Sequence, residues 1–303
     1  MSSAQTQEIA EAIAVRHAAM LAGEVISYAR AVQAGDANHP TEIAGVLQGC
    51  RMLGFWERDA QCIAKAWQYQ TQRTGYFNLK DWPCSTQDFG LGQIPQEKAF
   101  PTCPHNLGLY AVLPNAEWVD RMVQAGVPTL QLRFKSDDEQ AIRREVRAAI
   151  RAIAGTSVRL FINDHWQIGI EEGAYGVHLG QQDIDGTPLE RLRAAGVRLG
   201  LSTHGYAEML HAEAFHPSYL ALGAVFPTTL KRMQTAPQGL GRLFAYAKLM
   251  QHKPLVAIGG IDQEQFPVVM QSGVGSIAVV RAITGARDPE AAAKQLLSLM
   301  KLK

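Results

Sequence analysis

VRLFINDHWQIGIEEGAYGVHLGQQD, residues 158–183, holds two short β-branched and aromatic runs, VRLFI and YGVHL, on either side of a segment of helical spacing. The first run ends in Asn163-Asp164 and the second leads to Asp183. Acids that leave successive strands at the same end require the strands to run parallel, joined by a right-handed helical crossover. The same alternation extends in both directions. LGLYAVL and TLQLRF precede this stretch, and VRLGLS, YLALGAVF, LVAIGG and SIAVV follow it, so that eight strands lie between about residues 107 and 280. Segments of 3.6-residue periodicity separate them. The clearest runs from Ser136 to Ala154, where Ser136-x-x-Glu139 has capping-box spacing and Gly155 marks the end. Eight such units predict a closed (β/α)8 TIM barrel. An open doubly wound sheet is the alternative, and no GxGxxG follows the first strand to support its dinucleotide-binding form.

The fold class expected for the whole chain is α/β, a (β/α)8 barrel preceded by a small α-helical N-terminal module. In 303 residues there is room for a barrel and a smaller unit. The expected division is a helical module over 1–80, a Pro/Gly-rich linker over 81–105 and the barrel over 106–303. Residues 7–34 and 40–74 read as helical, with Gly75 as a stop. Pro83, Pro95, Pro101 and Pro104 suit an ordered, wrapping linker. Trp56, Trp67 and Trp82 are expected in the core or as linker anchors, in preference to a recognition surface.

Composition narrows the function. With 29 Lys+Arg against 28 Asp+Glu, no global field favours nucleic acid or an anionic membrane. Anion selectivity must therefore be local. The N-terminus lacks a basic region followed by an apolar one, and no apolar stretch reaches about 18 residues, so a soluble, cytoplasmic protein is expected. Cys50, Cys62, Cys84 and Cys103 have no CxxC or His-partnered spacing and are expected to be ordinary thiols. Homo-oligomer formation is left open.

Barrel chemistry sits at the C-terminal ends of the strands, and applying this rule selects the candidate residues. Gln131, Arg133 and Lys135 follow strand 2, Asn163 and Asp164 strand 3, His178 and Asp183 strand 4, and Ser202 and His204 strand 5. Thr228 and Lys231 follow strand 6. Gly259-Gly260 leaves strand 7, and Val280-Arg281 closes strand 8. The paired glycines allow backbone N–H groups close to an anion, suiting one phosphomonoester, although such a pair also serves simply to turn strand into helix. Across the mouth, Arg133, Lys135 and Lys231 offer positive charge, and Asp164 and Asp183 are candidate ligands of a hard divalent ion, Mg2+, which binds through one or two carboxylates and substrate phosphates. Taken singly, each is equally at home as a solvated charge, and Asp164 as a helix cap. Together the two anion sites imply two phosphorylated small-molecule substrates.

In that order these residues resemble the thiamine-phosphate synthase family, over roughly residues 105–300. The matching motifs are QLRFK at 131–135, FINDHW from 161, YGVHLGQQD at 175–183, GLSTH at 200–204, LGAVFPTTLK at 222–231, APQG at 236–239, VAIGGI at 256–261 and GVGSIAVVRAI at 273–283. The resemblance implies Mg2+-dependent coupling of 4-amino-2-methyl-5-(diphosphooxymethyl)pyrimidine to a thiazole phosphate or its carboxylate, with release of diphosphate by dissociative substitution. It further implies that Gln131, Arg133, Lys135, Asn163, Ser202 and Lys231 hold the pyrimidine diphosphate, that Asp164 and Asp183 bind the metal, and that Thr228, Thr229, Leu230, Gly260, Val280 and Arg281 contact the thiazole phosphate. Leu230 and Arg281 depart from the family pattern, which has threonine and serine there. For His178 and His204, contact with the diphosphate and a purely structural role both stay open. A thiazole tautomerase-like barrel and a non-catalytic sensing or assembly protein are the alternatives. The QLRFK, Asn163-Asp164 and Asp183 set argues against the former, because a tautomerase needs no diphosphate clamp.

Overall fold

A computed structural model describes residues 3–23, 26–92, 98–228 and 235–300. Strands β1 (Gly108–Leu113), β2 (Thr129–Leu132), β3 (Arg159–Asn163), β4 (Gly176–Leu179), β5 (Arg198–Thr203), β6 (Tyr219–Leu222), β7 (Leu255–Ile258) and β8 (Ser276–Val279) pair in sequence order, all parallel. β8 returns to β1 with Tyr110 opposite Ala278, closing the barrel. The expected TIM barrel is therefore observed. Its strands are shorter than the apolar runs, so Arg133 and Phe134 already lie beyond β2.

Two layers of packing fix the barrel. Tyr110, Phe161 and Tyr219 fill its interior with Val112, Ala221, Val256 and Ala278, the Tyr219 and Phe161 rings meeting edge to face at 5.2 Å. Alternate residues such as Leu109, Leu130, Leu160 and Val177 face outward to the helices. Those around the barrel include α5 (Ala116–Gln124), α6 (Glu139–Ile153), α7 (Trp166–Glu171), α8 (Gln181–Ile184), α9 (Leu189–Ala194), α10 (Tyr206–Glu213) and α11 (Gly239–Leu249). α12 (Phe266–Met270), α13 (Arg281–Thr284) and α14 (Pro289–Met300) complete the ring.

The start of α6 corrects the expected capping box. Its N-cap is Asp138, whose carboxylate accepts from the Gln140 N–H at 2.8 Å. Ser136 instead accepts from the Asp138 N–H at 3.1 Å, in the turn before the helix. An ionised oxygen in the cap position satisfies an orphan N–H and meets the positive helix end, which a hydroxyl two residues earlier cannot do. Asp138→Ala is expected to cost about 1 kcal/mol in urea unfolding, and Ser136→Ala clearly less.

The N-terminal segment is helical: α1 (Ser3–Leu21), α2 (Tyr28–Ala31), α3 (Thr41–Met52) and α4 (Glu57–Thr74). The two long helical stretches expected here are each broken. α1 stops at Leu21 and only α2 follows before residue 34, while Gly54, at φ 76°, turns the chain between α3 and α4. Gly75 ends α4 in the left-handed conformation, as expected. Among the described residues no helix is long and apolar enough to cross a membrane, and all four cysteines are free thiols.

A single apolar core runs from Ile13 and Trp67 through Trp82 and Tyr206 into the barrel helices. Trp67 and Trp82 are buried, as expected, but Trp56 is 46% exposed. Trp82 donates to the Tyr206 hydroxyl at 3.0 Å and stacks on Phe55. Arg242 of α11 donates to the carbonyls of Leu21 and Leu53, at 3.0 and 2.8 Å, so both chain ends left open by α1 and α3 are satisfied from the barrel. In the described parts of the stretch between α4 and β1, residues 75–92 and 98–107, turns and irregular chain predominate, pinned by Asp88 on Arg73 and by the Phe100 N–H on the His216 carbonyl.

Candidate active site

Parallel closure brings the strand exits of β2 to β5 to one end of the barrel. There the Gln131 side-chain amide donates to Asn163 Oδ1 at 2.6 Å, with both residues buried. The Asn163 side chain also acts to lower the pKa of the adjacent Asp164 carboxylate. The Gln131–Asn163 bond fixes the orientation of both amides, leaving the Gln131 carbonyl oxygen as an acceptor. Asp164 has φ 62°, an uncommon backbone conformation for a residue with a side chain. It is not the helix cap, because His165 takes that position in front of α7.

Loss of solvent raises the Asp164 pKa, and the charge of Asp183 adds to it, against the lowering effect of His165, Arg133 and Asn163. Two other expected residues, Asp183 and Arg133, are thus close enough for their charges to act on Asp164. Asp183 opens α8 and accepts the Gly180 N–H at 3.1 Å. Lys135 lies exposed just beyond Arg133. Among the described residues no group of three or more His, Cys, Asp or Glu is placed to hold a metal ion, but Asp164 and Asp183 are hard carboxylate donors, the kind that a hard cation takes one or two of beside water and phosphate oxygen. The donor set fits Mg2+.

His178 and Ser202 meet directly, with His178 Nε2 2.8 Å from Ser202 Oγ. The other ring nitrogen is 2.7 Å from the Tyr219 hydroxyl, which is 2.8 Å from that of Tyr110. Burial holds both tyrosine pKa values above the ordinary range, keeping them neutral donors and acceptors. His178 thus links Ser202 to the buried tyrosine pair. Tyr219 and Tyr110 were not among the sequence candidates, since only the C-terminal ends of the runs were selected, whereas Tyr110 lies within β1 and Tyr219 begins β6. Their signal was two hydroxyl-bearing rings where barrel interiors favour branched aliphatics. Gln181, also not singled out, donates to the Ser202 carbonyl at 2.7 Å. His204 is held by Glu208, 2.5 Å from its Nδ1.

Across the mouth, Gly259 and Gly260 have φ 103° and 65°. A Cβ on Gly260 would come within 2.5 Å of the Pro227 carbonyl oxygen, so only glycine allows the exits of β6 and β7 to approach this closely. The Gly259 carbonyl accepts from the Phe226 N–H at 2.9 Å, which places Thr228 beside the glycine turn. Val280 is the N-cap of α13, and Arg281, exposed, is its first residue. Thr229, Leu230 and Lys231 lie outside the described residues.

The family described as thiamine monophosphate synthase matches residues 109–283. The thiamine-phosphate synthase of Neisseria meningitidis serogroup A is 52% identical over 193 residues, covering 64% of this chain and 94% of the relative. That of Serratia proteamaculans is 50% identical over 204 residues, covering 67% and 96% respectively. Among solved structures, thiamine phosphate pyrophosphorylase from Pyrococcus furiosus superposes with a TM-score of 0.58 at 28% identity, over 65% of this chain and 97% of that one. The family match begins after α1–α4, so the helical extension is outside it.

Proposed function

This chain belongs to the thiamine monophosphate synthase family, and on that premise we propose that it joins 4-amino-2-methyl-5-(diphosphooxymethyl)pyrimidine to a thiazole phosphate or its carboxylate, giving thiamine phosphate and diphosphate, with loss of CO2 when the carboxylate is the substrate. The observation that carries this reading is the continuous set Gln131–Asn163–Asp164 with Arg133 and Asp183, because a barrel that handled only one phosphomonoester would have no use for it.

In this reading Gln131 offers its free carbonyl oxygen to the exocyclic amine of the pyrimidine. Asn163 holds Asp164 in place. Arg133, Lys135 and Lys231 neutralise the diphosphate, while Ser202, oriented by His178, donates to one of its oxygens. Asp164 and Asp183 would hold Mg2+, which would supply Lewis-acid neutralisation of the leaving diphosphate. Departure of diphosphate leaves a methylene cation stabilised by the amino-pyrimidine, and the thiazole nitrogen adds to it, so the carbon–oxygen bond breaks before the carbon–nitrogen bond forms. No side chain need remove a proton at this step. The thiazole phosphate is held by Thr228, Thr229 and Leu230, by Gly260 and by Val280 and Arg281, largely through backbone N–H groups. Fixed donors aimed at the leaving oxygens cost no reorganisation, and each such donor is worth about 3 kcal/mol of barrier.

Full-length protein is expected to release diphosphate only when Mg2+ and both substrates are present, and to stop when the cation is chelated. Isomerisation of the thiazole carboxylate without diphosphate release would instead identify a tautomerase. For the helical extension we propose a supporting role, in stability, assembly or regulation.

A further inference from the structure

Helix α10 begins immediately after the β5 exit that carries Ser202 and His204, and its N-cap is Gly205, which has no side chain to cap it. A helix start leaves its first N–H groups without intrahelical partners. Here the missing acceptor comes from the extension. Asp59, in the first turn of α4, brings Oδ1 to 2.8 Å from the Ala207 N–H across 148 residues of sequence, and the Tyr206 N–H also acts to lower its pKa.

The choice of glycine at 205 follows from this contact. Its backbone, φ 175° and ψ −174°, is extended and open to any residue, but a Cβ there would lie 2.3 Å from Asp59 Oδ2. The carboxylate occupies the volume that a local capping side chain would fill. The other half of the cap is local: Glu208, on the first turn of α10, accepts from the His204 N–H at 2.9 Å and from the His204 ring. One turn of backbone is therefore held between a carboxylate of α4 and a carboxylate of α10. Burial pushes the Asp59 pKa up to about 6 against the two N–H donors and the charge of Arg242. Simple packing of α4 on α10 would be better served by an apolar residue than by a buried acid.

We propose that Asp59 is the N-cap of α10 supplied from outside the barrel, and that through it the helical extension positions the Ser202–His204 turn at the diphosphate side of the mouth. Asp59 is a positioning residue in this account and touches no substrate. Which substrate feels its loss rests on the reading given under Proposed function. The cap itself does not.

Four full-length proteins test it: wild type, Asp59→Ala, Asp59→Asn, and the double variant Asp59→Ala/Gly205→Ser, which moves the cap back into the barrel's own chain. Amide exchange of residues 206–208 is expected to accelerate about five- to tenfold in Asp59→Ala, the change produced by a lost N-cap. It should stay near wild type in Asp59→Asn, which keeps an acceptor oxygen, and in the double variant. In steady-state assays Asp59→Ala is expected to raise KM for the pyrimidine diphosphate roughly three- to thirtyfold, the scale of a sub-ångström misplacement, while KM for the thiazole phosphate stays within about twofold, because only the β5 exit has moved. The double variant should reverse this shift. Unchanged exchange in Asp59→Ala, or failure of Gly205→Ser to restore it, overturns the proposal. So does an equal rise of both KM values, or a fall in Vmax in proportion to lost folded protein with both KM values unchanged. If wild type formed no thiamine phosphate, Proposed function would fall while the exchange measurements still decided whether Asp59 caps α10.

Discussion

Asp183→Ala is expected to lower kcat/KM for the pyrimidine diphosphate by about 10²- to 10³-fold, the loss typical of removing one electrostatic contact to a leaving or developing anion. Thiazole-phosphate affinity should change less than about twofold, since the contacts proposed for it follow β6, β7 and β8 and the effects of well-separated sites are close to independent. The asymmetry is the informative part. Asp183 sits in the first turn of α8, and its other structural duty is to accept the Gly180 N–H, a cap worth about 1 kcal/mol. A general collapse of the site would weaken both substrates together. Isothermal titration with each substrate, beside the steady-state rates, separates the cases. Equal loss at both sites would contradict a mouth divided between a diphosphate clamp and a phosphate cradle.

Trp82→Ala is expected to destabilise the protein by about 3–5 kcal/mol, within the range for large aromatic deletions from a packed core. Trp82 is nearly fully buried and stands between the extension and the barrel. Its ring stacks on Phe55 and meets His17 and Trp67 edge to face, at centroid distances of 5.6, 5.1 and 5.4 Å. Its N–H donates to the Tyr206 hydroxyl, whose burial makes the loss of that partner costly. Chemical denaturation gives the number. A change under about 1 kcal/mol, the size of an ordinary surface substitution or less, would mean that the extension merely rests on the barrel.

The barrel was legible in the sequence because each of its units repeats a local signal, a short apolar run followed by helical spacing, and eight repeats leave few other closures. The rule that places chemistry at strand exits then brought Gln131, Asn163, Asp164 and Asp183 together before any distance was known. Hydrogen bonds between distant positions were not legible. Tyr219 reaches His178 across 41 residues, and neither residue type announces the other. The start of α6 was misplaced for a local reason: Ser136 and Asp138 both satisfy cap chemistry, and an ionised carboxylate nearer the helix prevailed. The extension offered least. The acceptor for α10 lies on α4, and a glycine at 205 reads as a flexible joint until the Asp59 carboxylate is seen in its place.

The most direct test of the account is the stoichiometry of the coupling reaction. Full-length protein, supplied with Mg2+, the pyrimidine diphosphate and the thiazole phosphate or its carboxylate, is expected to form thiamine phosphate and diphosphate in equal amounts, quantified by mass spectrometry and an independent diphosphate assay. Folded protein that binds both substrates yet yields no thiamine phosphate would contradict it.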